Sequence, residues 1–111
     1  MTTLYRIQPK HLNEHSSLYG GQLLEWIDNY CFAKTEDYRK RAGEKFVTRA
    51  INCEFISPIF LGDNIQIKIK NKKINNTSIT FEYEVISKNK VVAKGFSTFV
   101  KLYKNKPIKV I

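Results

Sequence analysis

The chain has 111 residues, 42% hydrophobic and 13% aromatic. That is too apolar for a disordered segment, and the expectation is one domain over residues 1–111 with no room for two cores. No apolar run approaches the ~20 residues that span a bilayer. The opening Met1-Thr2-Thr3-Leu4-Tyr5-Arg6 lacks the apolar stretch of a signal peptide. Cys31 and Cys53 form no motif, which argues against a disulfide framework and against secretion. A cytoplasmic protein is expected.

The net charge of +9 is unevenly spread. Residues 1–63 hold 8 Lys and Arg against 8 Asp and Glu, whereas residues 64–111 hold 11 Lys against Glu82 and Glu84 alone. A field of this kind attracts polyanions such as nucleic acid, an anionic surface or a ligand with several phosphates. The alternative is that the lysines keep strand edges soluble.

In chain order, Leu4–Ile7 reads as a short strand ended by Gln8-Pro9. Residues 10–19 are polar and read as a loop. Gly20-Gly21 then opens the one long helical pattern, in which Leu23, Leu24, Ile27, Tyr30 and Cys31 recur at three- and four-residue steps. The charged stretch Lys34 to Arg41 is expected to be its solvated end, stopped near Gly43. Strands follow. Phe46 to Ile56 is the first, with Val47, Ile51, Cys53 and Phe55 on one face. After a turn at Leu61-Gly62-Asp63 come Ile65, Ile67 and Ile69, alternating with polar residues. Asn75-Asn76 turns into Ile79, Phe81, Tyr83 and Val85, and Lys88-Asn89-Lys90 turns into Val91–Leu102, where Gly95 marks a bulge or a close approach. The order β-α-β-β-β-β with short turns predicts an α+β fold, a curled antiparallel sheet around one long helix. A sheet edge would be left for a second copy to cover.

The segment Asn13 to Asp28 is the densest in potential chemistry. A glycine pair at a helix start leaves the first N–H groups free to meet an anion or a developing oxyanion. Asp28, seven residues past Gly21, is almost two turns on and projects to nearly the same side. Beside Leu24, Cys31 and Phe32 such a carboxylate is either paired or functional. Glu25, four residues past Gly21, could compete with it as a base or raise its pKa. His11 and His15 have a zinc-compatible spacing on a helix, but they fall in a loop with no third His or Cys nearby, so no metal site is expected. Trp26 is expected to face away from the Asp28 side.

Asn13, Gly20-Gly21 and Asp28, followed by Phe46-Val47-Thr48, Phe55-Ile56-Ser57-Pro58, Gly62-Asp63, Thr77-Ser78-Ile79 and Gly95 with Phe99-Val100, together resemble the hotdog-fold acyl-CoA thioesterases of the bacterial and brain-type acyl-CoA hydrolase branch. The resemblance runs from about Asn13 to Leu102. It implies hydrolysis of an acyl-CoA to free acid and CoA, with no cofactor and no metal. By position it makes Asp28 the general base or nucleophile. Asn13 would hold the thioester oxygen or the attacking water, and Thr48 would support the water or Asp28. Gly20 and Gly21 would polarise the carbonyl, and Ser78 joins them in substrate binding. It also implies a homodimer whose active site takes its Asn and Asp from opposite subunits, with a hexamer as a further assembly. The lysine field would then meet the phosphates of CoA.

Three other readings compete. A hotdog module that binds acyl-CoA without hydrolysing it has no need of both Asn13 and Asp28. Nucleic-acid binding would use Phe81 and Tyr83 as a stacking platform, yet these alternate with Ile79 and Val85 as core residues would. A hotdog dehydratase would need a catalytic histidine motif before or within the helix. Neither nucleic acid nor a membrane is therefore expected as a partner.

Overall fold

Leu23, Ile27 and Cys31, spaced four apart, are completely buried and form the apolar stripe of helix α1 (Gly20–Lys34). The structure, a computed structural model, describes residues 4–111. The Met1–Thr3 part of the N-terminal segment lies outside the described residues. The helix stops sooner than its charged continuation suggested. The Thr35 hydroxyl donates a 2.6 Å hydrogen bond to the Phe32 carbonyl, and the chain tightens into a 3-10 turn over Thr35–Tyr38.

Five antiparallel strands make the sheet: β1 (Leu4–Arg6), β2 (Glu44–Phe55), β3 (Asn64–Ile74), β4 (Ser78–Ser87) and β5 (Lys90–Tyr103), in the spatial order β1-β3-β4-β5-β2. A two-residue strand, β6 (Lys106–Pro107), folds back onto β5 and was not expected from the sequence. The two hairpin turns at the opposite ends of β5 each use a Lys-Asn pair with positive φ, Lys88-Asn89 (52° and 62°) and Lys104-Asn105 (51° and 64°), the left-handed pattern that suits the twist of adjoining strands.

The alternation the sequence predicts holds on β3 as far as Ile69, on β4 from Ile79 to Val85, and on β5 from Ala93 onward. Ile65, Ile67, Ile79, Phe81, Tyr83, Val85, Ala93 and Phe99 all point at the helix and are at most 2% exposed. Phe81 and Tyr83 are therefore core residues and cannot stack on bases. On β2 the face read from the sequence is wrong at its start. The register shifts between Thr48 and Ala50, so Arg49 is an inserted residue and the inward set changes parity across it. Phe46 is buried before the bulge, Ile51 and Cys53 are half-buried after it, and Val47 is 39% exposed on the other face. A single extra residue removes Val47 from the company of Ile51 and Cys53.

At Gly95 the ladder is continuous, pairing Cys53 on one side and Tyr83 on the other, so this glycine marks a close approach and not a bulge. A Cβ there would collide with the Asn52 carbonyl oxygen and stand 2.8 Å from the Tyr83 hydroxyl. At the far end of the sheet the C-terminal segment closes the core. Val110 is fully buried, and its N–H donates to the Asn76 carbonyl (3.0 Å).

Candidate active site

The loop from Leu12 to Tyr19 is shaped by one side chain. Asn13 Oδ1 accepts hydrogen bonds from the backbone N–H groups of His15 (2.8 Å) and Ser17 (3.2 Å), and its Nδ2 donates to Ser17 Oγ (3.1 Å). This bonding of an Asn to its own chain two and four residues on lets Ser16 take a positive φ of 64°. The loop is then docked on the segment after β2, where the Leu18 N–H donates to the Ile59 carbonyl (2.7 Å) and Ser17 bridges Phe60.

Helix α1 starts where this loop ends. Its first intrahelical bonds are those of the Gln22 and Leu23 N–H groups to the Tyr19 carbonyl (3.1 and 3.3 Å). The N–H groups of Gly20 and Gly21 precede these bonds and form the positive end of the helix dipole. Both glycines have close aromatic neighbours. A Cβ on Gly20 would come within 3.3 Å of the Phe55 ring, and one on Gly21 within 2.5 Å of the Tyr19 ring. Between this helix start and the end of β2 lies a cavity of about 210 Å³, lined by Leu18, Phe55, Ile56, Pro58 and Ile59 with Ser17.

Two turns along the helix, Asp28 is half-buried. Thr48, on the helix-facing side of β2 just before the bulge, donates its hydroxyl proton to Asp28 Oδ1 at 2.7 Å. The bond fixes one carboxylate oxygen and, among the described residues, leaves Oδ2 without a hydrogen-bond partner. The negative charge is felt by Cys31, one turn on. Burial first and Asp28 second push the Cys31 thiol up to about 12, so its thiolate is not populated near neutrality.

The chain thus brings Asp28 and Thr48 into contact and sets the Gly20-Gly21 helix start on the same element. Among the described residues Asn13 bonds only within its own loop and forms no hydrogen bond to either residue. Ser78, 5% exposed at the head of β4, lies on the opposite face of the sheet from the helix, in a cavity of about 230 Å³ with Arg49, Asn75 and Thr80. Within one chain it does not join Asp28. Glu25 is exposed and accepts a long bond from Gln22 Nε2 (3.4 Å). Trp26 stacks on Tyr5 (ring centroids 4.7 Å apart) and meets the edge of His11 at 4.8 Å. His11 is buried and its Nδ1 accepts the Gln8 N–H (3.0 Å), so this imidazole serves the loop.

The sequence reading missed a second polar cluster. Lys101 on β5 is fully buried, and its Nζ donates to Glu44 Oε1 (3.0 Å), the Tyr38 carbonyl (2.6 Å) and the Val110 carbonyl (3.3 Å). Glu44 in turn accepts the Lys40 N–H (2.8 Å) and faces Arg41 Nε (3.3 Å). The signal for it was present: Lys101 lies in phase with Phe99, Ala93 and Ser97 on an inward-facing strand.

The comparisons agree with this architecture. Residues 15–94 match the thioesterase superfamily. None of the curated proteins matches the sequence. The fold is similar to that of the YbaW protein of Escherichia coli (TM-score 0.86, 20% identity, covering 99% of this chain and 90% of that one). It is similar also to the thioesterase of Thermus thermophilus solved with coenzyme A and zinc (0.83, 16%, 97% and 83%). A third likeness is to the acyl-CoA hydrolase of Staphylococcus aureus solved with butyryl-CoA, CoA and CoA disulfide (0.80, 23%, 98% and 67%). With one helix wrapped by a curled antiparallel sheet and a family match across most of its length, this chain belongs to the thioesterase superfamily and has the hotdog fold.

Proposed function

We propose that this chain hydrolyses acyl-CoA thioesters to a free acid and CoA, with Asp28 as the general base. The observation that carries the reading is the Thr48–Asp28 hydrogen bond of 2.7 Å, which orients a half-buried carboxylate on the helix whose first free N–H groups belong to Gly20 and Gly21. Asp28 Oδ2 takes a proton from water as the water oxygen attacks the thioester carbonyl carbon. The Gly20 and Gly21 N–H groups hold the oxygen on which charge develops. The C–S bond then breaks, and the proton passes from Asp28 to the departing sulfur. A thiolate leaves readily, so one base and one oxyanion site suffice.

Two features support a homodimer as the active unit. The outer edge of β2, twelve residues from Glu44 to Phe55, has no strand beside it among the described residues. Tyr19, Phe55 and Ile56, near that edge and the helix start, are 47–59% exposed, an apolar surface that a second copy would cover. The partner's Asn13 loop would then reach Asp28 across the interface, and lysines of residues 64–111 would meet the CoA phosphates.

The test is thiol release from a series of acyl-CoAs, acetyl to palmitoyl, by the wild-type chain and Asp28→Asn. Release that the substitution abolishes supports the reading. No release from any substrate, with CoA still bound, would favour a binding module. In ¹⁸O-labelled water a general base places the label in the acid during the first turnover, whereas a nucleophilic Asp28 would carry the label itself. Added salt should raise KM through screening of the lysine field.

A further inference from the structure

On the flank of α1 away from Asp28 lies a cavity of about 550 Å³, a volume typical of small-molecule sites. Tyr30 faces it, two residues and therefore about 200° around the helix from Asp28. The sheet side is β3, three strands removed from the β2 strand that carries Thr48, or about 14 Å along the sheet. The cavity and the Asp28 site are separate places.

Its floor is apolar, made by Ile67, Ile69 and Phe81, and its other walls include Ile86, Tyr30, Tyr38 and three lysines, Lys34, Lys68 and Lys72. Lys72 owes its position to a second bulge. The β3–β4 register shifts between Ile69 and Asn71, so Lys72 pairs with the inward-facing Phe81 and is turned to the helix side of the sheet. There its ammonium stands 5.2 Å from the centre of the Tyr38 ring, and Lys34 stands 5.1 Å from that of Tyr30. Tyr38 first, and Asp37 to a smaller extent, hold the Lys72 ammonium firmly charged. Among the described residues none of Lys34, Lys68 and Lys72 forms an ion pair, although Lys70, Lys88, Lys94 and Lys101 all do. Asp37 is the one carboxylate on the wall, leaving a surplus of two positive charges over a greasy floor.

We infer that this cavity is a second binding site, distinct from the Asp28 site, for a small amphiphilic carboxylate whose apolar body rests on Ile67, Ile69 and Phe81 while its head meets Lys34 and Lys72. The inference holds whether or not Asp28 hydrolyses a thioester.

Octanoate titrated into the full wild-type chain, followed by amide chemical shifts, tests it. The expected result is saturable shifts at Tyr30, Lys34, Tyr38, Ile69 and Lys72 with Kd on the order of 0.1–1 mM, unchanged by saturating CoA. Octyltrimethylammonium, with the same tail and the opposite charge, should leave those amides unmoved. The double variant Lys34→Glu/Lys72→Glu should bind octanoate at least about tenfold more weakly. Shifts confined to Gly20, Asp28 and Thr48, displacement of all octanoate by CoA, equal binding of the cation, or no shifts by about 10 mM would each overturn the proposal. The wild-type shift map and the cationic control decide the matter even if the double variant fails to fold.

Discussion

Thr48 and Asp28, twenty residues apart in sequence, are joined by a 2.7 Å hydrogen bond that ties the middle of β2 to the middle of α1. The bond depends on where the β2 bulge falls. Thr48 is the last residue before the register shift, and a shift one residue earlier would turn its hydroxyl to the outer face. If Asp28 is the base, Asp28→Asn should lower turnover by about 10²–10⁴-fold with an unchanged circular dichroism spectrum. Thr48→Val should cost less, about tenfold, because the carboxylate keeps its charge and loses only an orienting donor of roughly 1.5 kcal/mol. Equal turnover by Thr48→Val and wild type would show that the bond does not orient the reacting carboxylate.

Asn13 has work to do inside its own loop, so a simple truncation conflates two roles. Asn13→Ala should loosen residues 13–17 and lower stability by about 1–3 kcal/mol, since the Ser17 and His15 N–H groups lose their acceptor. Asn13→Asp retains that acceptor, removes the Nδ2 donor and adds a negative charge. Amide exchange in the loop should stay close to wild type in Asn13→Asp, and a loss of turnover in that variant would then report on the lost donor and the added charge at the reaction centre and not on a loosened loop.

The Lys101–Glu44 pair gives a pH prediction. Chiefly the Lys40 N–H, and further the Lys101 and Arg41 cations, hold the Glu44 carboxyl below its ordinary range in the folded chain. The unfolded chain therefore binds the proton more readily, and stability rises with pH through that window. The contribution is complete above the ordinary glutamate pKa of about 4.3 and is lost as pH falls through the lower, folded value. Glu44→Gln should flatten this part of the Tm-versus-pH curve. At neutral pH, Lys101→Met should lower Tm more than removal of the exposed Arg39–Glu36 pair, because Glu44 would stay buried without its partner.

Cys31 should be inert. With burial and Asp28 raising its thiol to about 12, alkylation of the native chain at pH 8 should leave Cys31 unmodified, and denaturant should expose it; mass spectrometry of the peptides distinguishes the two states. Rapid native labelling of Cys31 would mean that the helix opens locally. Cys31→Ala should retain turnover while losing stability through the cavity it leaves.

Gly95→Ala places a Cβ against the Asn52 carbonyl oxygen and the Tyr83 hydroxyl. Neither can retreat cheaply, since Tyr83 is fully buried and donates to that same carbonyl. A loss of about 1–3 kcal/mol in a denaturant melt is expected, and an unchanged midpoint would show that β2 and β5 can separate at this point without cost.

The residues by themselves determined the parts of this protein that rest on local periodicity. Leu23, Ile27 and Cys31 identified the helix, and the alternation from Ile65 to Phe99 identified the strands, because spacings of four and two residues map directly onto a stripe and a face. The turns at Gly62, Asn75 and Lys88 were legible from their composition, and the fold followed from the order of the elements. The family resemblance singled out Asp28 and Thr48 as separate motif positions. What tertiary structure alone decided is how faces are assigned across the inserted residues Arg49 and Lys70. Each adds one residue to a strand and reverses parity beyond it, exposing Val47 and turning Lys72 toward the helix. Nothing in a single strand's pattern announces such an insertion, since a bulge exists only relative to the neighbouring strand. The burial of Lys101 has the same origin: its ammonium is tolerable inside because Glu44 and two carbonyls from distant segments converge on it, a convergence that only the folded chain creates.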